Sequence, residues 1–319
     1  MNREISRILQ NEDKFLVVTH VNPDGDAVGS LLGTYLALSE MGKQAWPFSG
    51  EKFPGQYDFL RGIDALITTP DEIDDTPAWI IALDVAEERR ISGDIKRFRE
   101  KAKLINIDHH PTNPGFGDLN YVKSTATATA ELVHELLRGA DYKISADVGK
   151  CLYTGLITDT GCFRFSGVNS TTLQIGAEML EPGFDSYQVT RHLFEEFPLG
   201  RLFLERLMLE RIEVLLEGRL VLSTLSHSDY ERLGLALSEG ENLVNRLRES
   251  RGVEAGVLVT QTGSDVIRVS FRSKDRLDVS LIAKSLGGGG HSHAAGLKST
   301  LPLPHLKEKI IRAIEDALA

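Results

Sequence analysis

His20-Val21-Asn22-Pro23-Asp24-Gly25-Asp26 joins two segments of different periodicity. Before it stands a short apolar run, Phe15-Leu16-Val17-Val18, and after it residues 27–38 place small and apolar side chains at helical spacing. A strand, a sharp loop and a helix start make one α/β unit, and the loop carries an imidazole and two carboxylates. In open α/β sheets the loops beyond the carboxyl ends of the strands are where ligands bind. Two aspartates in one loop are, alone, most often a capped helix start. The same device recurs, however. Ala78-Trp79-Ile80-Ile81-Ala82-Leu83 ends in Asp84, Leu104-Ile105-Asn106-Ile107 ends in Asp108-His109-His110, and Leu156-Ile157-Thr158 ends in Asp159.

Acids at the ends of buried strands are costly unless neutralised. Arginine could neutralise one. Five aspartates with three histidines, all at the ends of apolar segments, are better explained by cations. Imidazole plus carboxylate without thiolate favours manganese, magnesium or another hard to borderline divalent ion over structural zinc. The donors exceed the needs of one ion. Two ions roughly 3.5–4 Å apart would use them all, and such a pair activates water and clamps a phosphoryl group.

The alternation of short apolar runs and helical patterns over residues 1–185 predicts an α/β domain with a mostly parallel sheet and helices on both faces. A Pro/Gly/Asn-rich loop is expected at 111–120, and helices near 125–138, 145–159 and 170–180. Thr125-Ala126-Thr127-Ala128-Thr129 could present hydroxyls to a ligand, but a helix N-cap with small packing residues is the favoured reading. Residues 186–217 read as a helical, charged connection. Residues 218–319 read as a smaller α/β domain, with strands at 219–225, 254–261 and 265–272 and helices near 228–248, 278–286 and 304–318.

A second signal lies in that smaller domain, Gly287-Gly288-Gly289-Gly290-His291-Ser292-His293-Ala294-Ala295-Gly296. One glycine would serve as a helix C-cap. Four permit close backbone approach, and consecutive N–H groups can make an anion-binding nest. His291 adds a donor, while Ala294 and Ala295 leave room. In the preceding strand Arg268, Ser270 and Arg272 share one face, and Ile267, Val269 and Phe271 the other. Guanidiniums with a hydroxyl suit phosphate recognition.

Taken together, His20-x-x-Pro23-Asp24-x-Asp26, Asp84, Asp108-His109-His110 and Asp159 resemble the four motifs of the DHH phosphoesterase family, in its order and spacing over nearly the whole chain. The resemblance implies that His20 and Asp24 hold one metal, that Asp26, His109 and Asp159 hold the other, and that Asp84 bridges them. It implies that His110 contacts the scissile phosphate or leaving group and that Asp108 orients the histidines. Residues 288–296 are similar to the G-G-G-H-x-x-A-A-G motif of the DHH-associated C-terminal domain. The pairing looks like the NrnA-type subfamily, which degrades very short RNA and dephosphorylates adenosine 3′,5′-bisphosphate. Arg268, Arg272, Gly288, Gly289, Gly290 and His291 are then the expected phosphate grip, with the active site expected in the interdomain cleft.

The expected activity is hydrolysis by metal-activated water of short oligonucleotides, dinucleotides such as pApA, or adenosine 3′,5′-bisphosphate. Two divalent cations are expected, Mn2+ first, with Mg2+ or Co2+ as alternatives. An inorganic pyrophosphatase of the same type and a non-catalytic nucleotide-binding sensor are the rival readings. Short single-stranded RNA or DNA and small nucleotides are the expected partners. No membrane or stable protein partner is indicated, and a homodimer stays open.

The bulk composition agrees with a soluble globular protein of two domains: 319 residues, 41% hydrophobic and 26% charged. The net charge of −10 argues against a protein that coats long duplexes. Residues 1–199 carry 19 Lys+Arg against 30 Asp+Glu, and residues 200–319 carry 17 against 16; an acidic first part suits cations and a near-neutral second part allows a local anion site. Two cysteines make neither a disulfide framework nor a zinc site. With no apolar signal core behind Met1-Asn2-Arg3, the expected compartment is the cytoplasm.

Overall fold

Two units divide the chain, Met1–Glu196 and Phe197–Ala319. Within them the computed structural model describes residues 2–263, 265–274 and 276–319. Among the described residues no helix is long and apolar enough to cross a membrane.

The first unit runs α1 (Arg3–Asn11), β1 (Phe15–Val18), α2 (Gly25–Glu40), β2 (Ala45–Phe48), β3 (Trp79–Leu83), α3 (Lys96–Arg99), β4 (Lys103–Asp108), β5 (Leu119–Val122), α4 (Thr129–Gly139), α5 (Ala146–Asp159), α6 (Ser170–Leu180) and α7 (Ser186–Phe194). Its sheet is parallel throughout, in the order β2-β1-β3-β4-β5. Near-continuous apolar strands are what burial on both faces requires. Phe15, Val17, Ile81, Leu83, Ile105 and Ile107 enter one core with α2, α4 and α5. Leu16, Val18, Ile80, Ala82 and Leu104 enter the other. That second face departs from the expectation of helices on both sides. It is covered by Trp46, Phe48, Ile73, Ile91, Ile95 and Phe98, carried on a strand, short turns and the four-residue α3.

Register places the chemistry. Val18 pairs with Ala82 and Leu83 with Ile107, so His20, Asp84 and Asp108 leave three adjacent strands at one level. Strand order reverses between β1 and β3, because β2 lies on the far side of β1, and this is where open α/β sheets bind ligands.

Helices α2 and α5 approach through glycine. A Cβ on Gly29 would lie 2.4 Å from the Cys151 carbonyl oxygen, and one on Gly155 would lie 2.8 Å from Asp26 Oδ1. The small-residue pattern after Asp26 therefore lets the carboxyl end of α5, with Asp159, come beside the start of α2.

The second unit runs α8 (Gly200–Glu210), β6 (Glu213–Leu215), β7 (Leu220–Leu225), α9 (His227–Leu233), α10 (Val244–Arg248), β8 (Ala255–Gln261), β9 (Ile267–Ser273), α11 (Val279–Ser285), β10 (Gly289–His291), β11 (Ala294–Ser299) and α12 (Leu303–Leu318). Its sheet order is β10-β11-β9-β8-β7-β6, with only the β7–β8 pair parallel. One face packs on α11 and α12 through Val257, Val259, Val269 and Phe271. On the other face Val221 and Leu258 of β7 and β8 pack with side chains of α8, α9 and α10.

Four elements differ from the sequence expectation. Residues 119–122 pair as an edge strand beside β4 where the loop was expected to run on to 120. Residues 213–215 form an edge strand where a helical connection was expected. The helix expected over 228–248 is broken at Gly234, which ends α9 with φ +65°, a conformation glycine adopts without steric cost. The glycine-rich stretch is a hairpin, β10–β11, turning at Ser292-His293.

Candidate metal centre

Asp24 caps α2, its Oδ1 accepting from the amides of Asp26 and Ala27 at 3.1 Å each. Helix capping and metal ligation do not compete here, since a carboxylate has a second oxygen. In the first turn of α2, Asp26 is buried and reaches across to α4. Its Oδ2 accepts from Thr129 N–H at 2.5 Å and its Oδ1 from Ala130 N–H at 2.9 Å and Ser30 Oγ at 3.0 Å. Ala128, the N-cap residue of α4, makes no side-chain cap. The threonine–alanine run, read from sequence as the N-cap, thus does not cap its own helix; a carboxylate from another helix does so.

Asp84 leaves β3 with φ +60°, a left-handed conformation that aspartate tolerates better than most residues. It is buried. Its Oδ2 faces His20 Nε2 at 3.5 Å, and its Oδ1 faces His109 Nε2 at 3.5 Å. His109 Nε2 also lies 3.3 Å from Asp159 Oδ2 and 4.0 Å from Asp26 Oδ2. The far nitrogens are turned to backbone carbonyls, His20 Nδ1 to Val21 at 2.9 Å and His109 Nδ1 to Ala126 at 3.3 Å. With Nδ1 engaged there, Nε2 is the atom each ring turns to the carboxylates.

Three overlapping groups result: His20, Asp24 and Asp84; Asp26, His109 and Asp159; and Asp84, His109 and His110, each with ligand atoms within 4.8 Å of one another. Asp84 belongs to the first and third, and His109 to the second and third. The N···O spacings of 3.3–4.0 Å are loose for hydrogen bonds. They fall within the roughly 3–4 Å that separates atoms sharing an ion with bonds of about 2.1 Å.

Electrostatics point the same way. Burial, with the charges of Asp84 and Asp24, pushes the Asp26 carboxyl up, and burial pushes Asp159 well up. Burial opposes the charged forms of His20 and His109, yet their carboxylate neighbours outweigh it and raise them to about 9 and about 10. Burial likewise opposes an ionised Asp84, but the hydrogen bond from His20 and the fields of His110 and His109 hold it below the usual carboxylate range. The cluster therefore draws positive charge, and its imidazole and carboxylate donors fit divalent cations.

His110 Nδ1 lies 3.7 Å from Asp84 Oδ1, within the third group, but its nearest partner is another acid. Its Nδ1 lies 2.7 Å from Asp108 Oδ1, and the other oxygen of the fully buried Asp108 accepts from Asn113 Nδ2 at 2.6 Å. Asn113 also reaches Asn106 Oδ1 at 2.7 Å and the Val85 carbonyl at 3.1 Å. Asn113 was not singled out from sequence, and Thr129 was named only within the run at 125–129, where the helix-cap reading was favoured over hydroxyls offered to a ligand. The one available signal was Asn106, a polar residue in an otherwise apolar strand run.

The second unit carries the remaining expected residues. Burial alternates along β9, with Arg268, Ser270 and Arg272 on its half-exposed face. Arg268 pairs across the strands with Thr260 and Lys298, Ser270 with Gly296, and Arg272 with Gly256 and Ala294. Two basic side chains thus flank a strip floored by glycine and alanine. Arg272 Nη1 donates to the Phe271 carbonyl, and Arg248 Nη1 to the neighbouring Ser273 carbonyl at 2.8 Å. Burial, aided by Arg248, lowers Arg272 to about 10.

The glycine nest needs correction. Gly287 N–H donates to Lys284 and Gly288 N–H to Ala283, so these amides close the end of α11 and do not face an anion. Gly288 and Gly290 serve close strand pairing instead. A Cβ there would meet the Gly296 carbonyl at 2.3 Å or the Ala294 carbonyl at 2.5 Å. Gly289 has open space above it. The side chain of His291 lies outside the described residues.

Residues 14–156 match the DHH family, N-terminal domain, and residues 232–319 match the DHHA1 domain. The chain is 34% identical over 313 residues to the bifunctional oligoribonuclease and PAP phosphatase NrnA of Thermus thermophilus, spanning 96% of this chain and 91% of that protein. It is 30% identical over 306 residues to the protein of the same name from Bacillus subtilis, spanning 93% and 92%. A crystal structure of an exopolyphosphatase-related protein from Bacteroides fragilis is similar with a TM-score of 0.90 at 25% identity, covering 98% of this chain and 95% of that one.

Proposed function

This chain belongs to the DHH family of metal-dependent phosphoesterases, and on that premise we propose that it hydrolyses short oligoribonucleotides and dinucleotides and removes a phosphate from adenosine 3′,5′-bisphosphate. The observation that carries the proposal is the shared Asp84, whose two oxygens face different histidines. His20 and Asp24 would hold one divalent cation, and Asp26, His109 and Asp159 a second, with Asp84 common to both. Manganese is the first choice for such a donor set. When bound, the pair supplies Lewis acidity at the phosphoryl oxygens and acidifies water to a nucleophile at neutral pH.

The remaining roles belong to the chain's own residues. Asp108, held by Asn113, would fix His110 by its Nδ1 and leave Nε2 to face substrate. Burial disfavours a protonated His110, but the Asp108 hydrogen bond and the charge of Asp84 outweigh it and raise its pKa. His110 would therefore keep a proton to donate to a phosphoryl oxygen or the leaving group. On the second unit Arg268, Arg272 and Ser270 would bind a phosphate group, over the strip formed by Gly289, Ala294 and Gly296. His291 is proposed beside them as a further donor.

The test is product release from adenosine 3′,5′-bisphosphate, a diadenylate, a five-residue RNA, a long single strand and pyrophosphate, with Mn2+ and with an Asp84→Asn control. Turnover of the first three that is lost in the control supports the proposal. Turnover of pyrophosphate alone, or faster cleavage of the long strand, overturns it.

A further inference from the structure

Thr129, the first residue of α4, engages two carboxylates of the metal cluster at once. Its N–H donates to Asp26 Oδ2 at 2.5 Å, and its hydroxyl donates to Asp84 Oδ1 at 2.9 Å. The direction of the second bond follows from chemistry, since an ionised carboxylate only accepts. Both side chains are buried. Asp26 lies 103 residues from Thr129 and Asp84 lies 45, so this contact is a product of the fold.

The hydroxyl matters because of what Asp84 must do. Rotation about the bond to a carboxyl group has broad, shallow minima. A carboxylate that faces two groups with separate oxygens therefore needs an outside contact to fix its plane. Thr129 holds Oδ1, the oxygen facing His109, while Oδ2 faces His20. The peptide amides of α4 meanwhile hold Asp26, reinforced by the partial positive charge of a helix N-terminus.

We propose that Thr129 is a positioning residue for the metal centre, setting the rotation of the Asp84 carboxylate so that its two oxygens serve two different ions. The inference rests on the two-ion reading above and adds a residue to it. Because the hydroxyl meets only Oδ1, its loss acts first on the ion shared by Asp26, His109 and Asp159. The backbone grip on Asp26 survives any side-chain change.

The experiment is a Mn2+ titration of metal-stripped protein followed by electron paramagnetic resonance, which reports free ion and the spin coupling of a bridged pair. Thr129→Val keeps the shape and the N–H but removes the hydroxyl, Thr129→Ser restores it, and Thr129→Ala relieves any conflict of the valine methyl. Far-UV circular dichroism of the metal-free proteins verifies folding. Loss of an outer hydrogen bond weakens metal binding about 10- to 100-fold. One of the two binding steps should fall by that factor in the valine and alanine variants, with weakened spin coupling, and stay within about threefold of wild type in the serine variant. Wild-type affinity for both ions in the valine and alanine variants overturns the inference, as does an equal loss in the serine variant. A wild-type protein that binds no Mn2+ overturns the metal reading itself.

Discussion

Gly29→Ala sets two effects of opposite sign against each other. Gly29 lies inside α2, where alanine is favoured over glycine by roughly 1 kcal/mol. Propensity alone therefore predicts a more stable protein. Packing predicts the reverse, because the new Cβ would lie 2.4 Å from the Cys151 carbonyl oxygen and 2.8 Å from the Gly155 amide nitrogen. Ordinary contact begins at 3.4 Å, so α5 must withdraw by about 1 Å, and backbone cannot rotate aside as a side chain can. Overpacking costs about 1–3 kcal/mol. Taking the upper figure, because backbone is the obstacle, and subtracting the propensity gain leaves a net loss of about 2 kcal/mol. For a unit of this size that is a fall in Tm of roughly 4–8 °C. The same displacement moves Asp159 away from Asp26, so Mn2+ affinity should fall as well. Thermal unfolding in a chelator gives the first quantity, and a Mn2+ titration the second. Gly176→Ala is the comparison, since its Cβ would meet only side-chain carbons, at 3.3 Å, and Tm should change little. A Gly29→Ala protein with wild-type or higher Tm and unchanged Mn2+ binding would refute the claim that glycine contact between α2 and α5 builds the site.

Asn113→Ala removes the 2.6 Å donor to Asp108 and should lower kcat about 10- to 100-fold with Mn2+ content unchanged; an unaltered kcat would remove Asn113 from the account. Arg272→Ala should raise KM for adenosine 3′,5′-bisphosphate roughly 10- to 100-fold, the size of one charge-assisted bond, and a kcat effect at constant KM would argue against a binding role. Asp229 pairs with both terminal nitrogens of Arg211 and accepts from Ser226. The Arg211 bond and the Ser226 contacts hold its carboxyl well below the usual range against the opposing effect of burial. A lowered folded-state pKa contributes stability above the unfolded aspartate value of about 4, and this is lost as pH falls through the folded value. Asp229→Asn should therefore unfold at lower urea than wild type at pH 7, with the gap closing below about pH 4; a gap independent of pH would show that the charge is not what stabilises.

The parts of this protein legible in its sequence are those where burial makes the cost explicit. An aspartate after five apolar residues, as at Asp84, is expensive unless something neutralises it, and the pattern repeats along the chain. The alternation Ile267, Val269, Phe271 against Arg268, Ser270, Arg272 fixes two faces of a strand wherever its neighbours lie. Edge elements were hidden because few residues specify them. Leu119-Asn120-Tyr121-Val122 gains its strand conformation from pairing with β4. Glycine has poor β-propensity, so the β10–β11 hairpin is imposed by close pairing with Ala294, Ala295 and Gly296. The roles of Thr129 and Asn113 were hidden for another reason. A threonine before an apolar helix and an asparagine in a loop have plain local uses, and only long-range folding sets them against Asp84 and Asp108.

The most direct test of the central claim is phosphate release from adenosine 3′,5′-bisphosphate by metal-stripped protein, measured as Mn2+ is added in fractions of an equivalent. The account predicts no turnover without metal, little at one equivalent and full turnover as the second ion binds. Full activity in a chelator, or saturation at a single ion per chain, would contradict a two-ion centre built on Asp84.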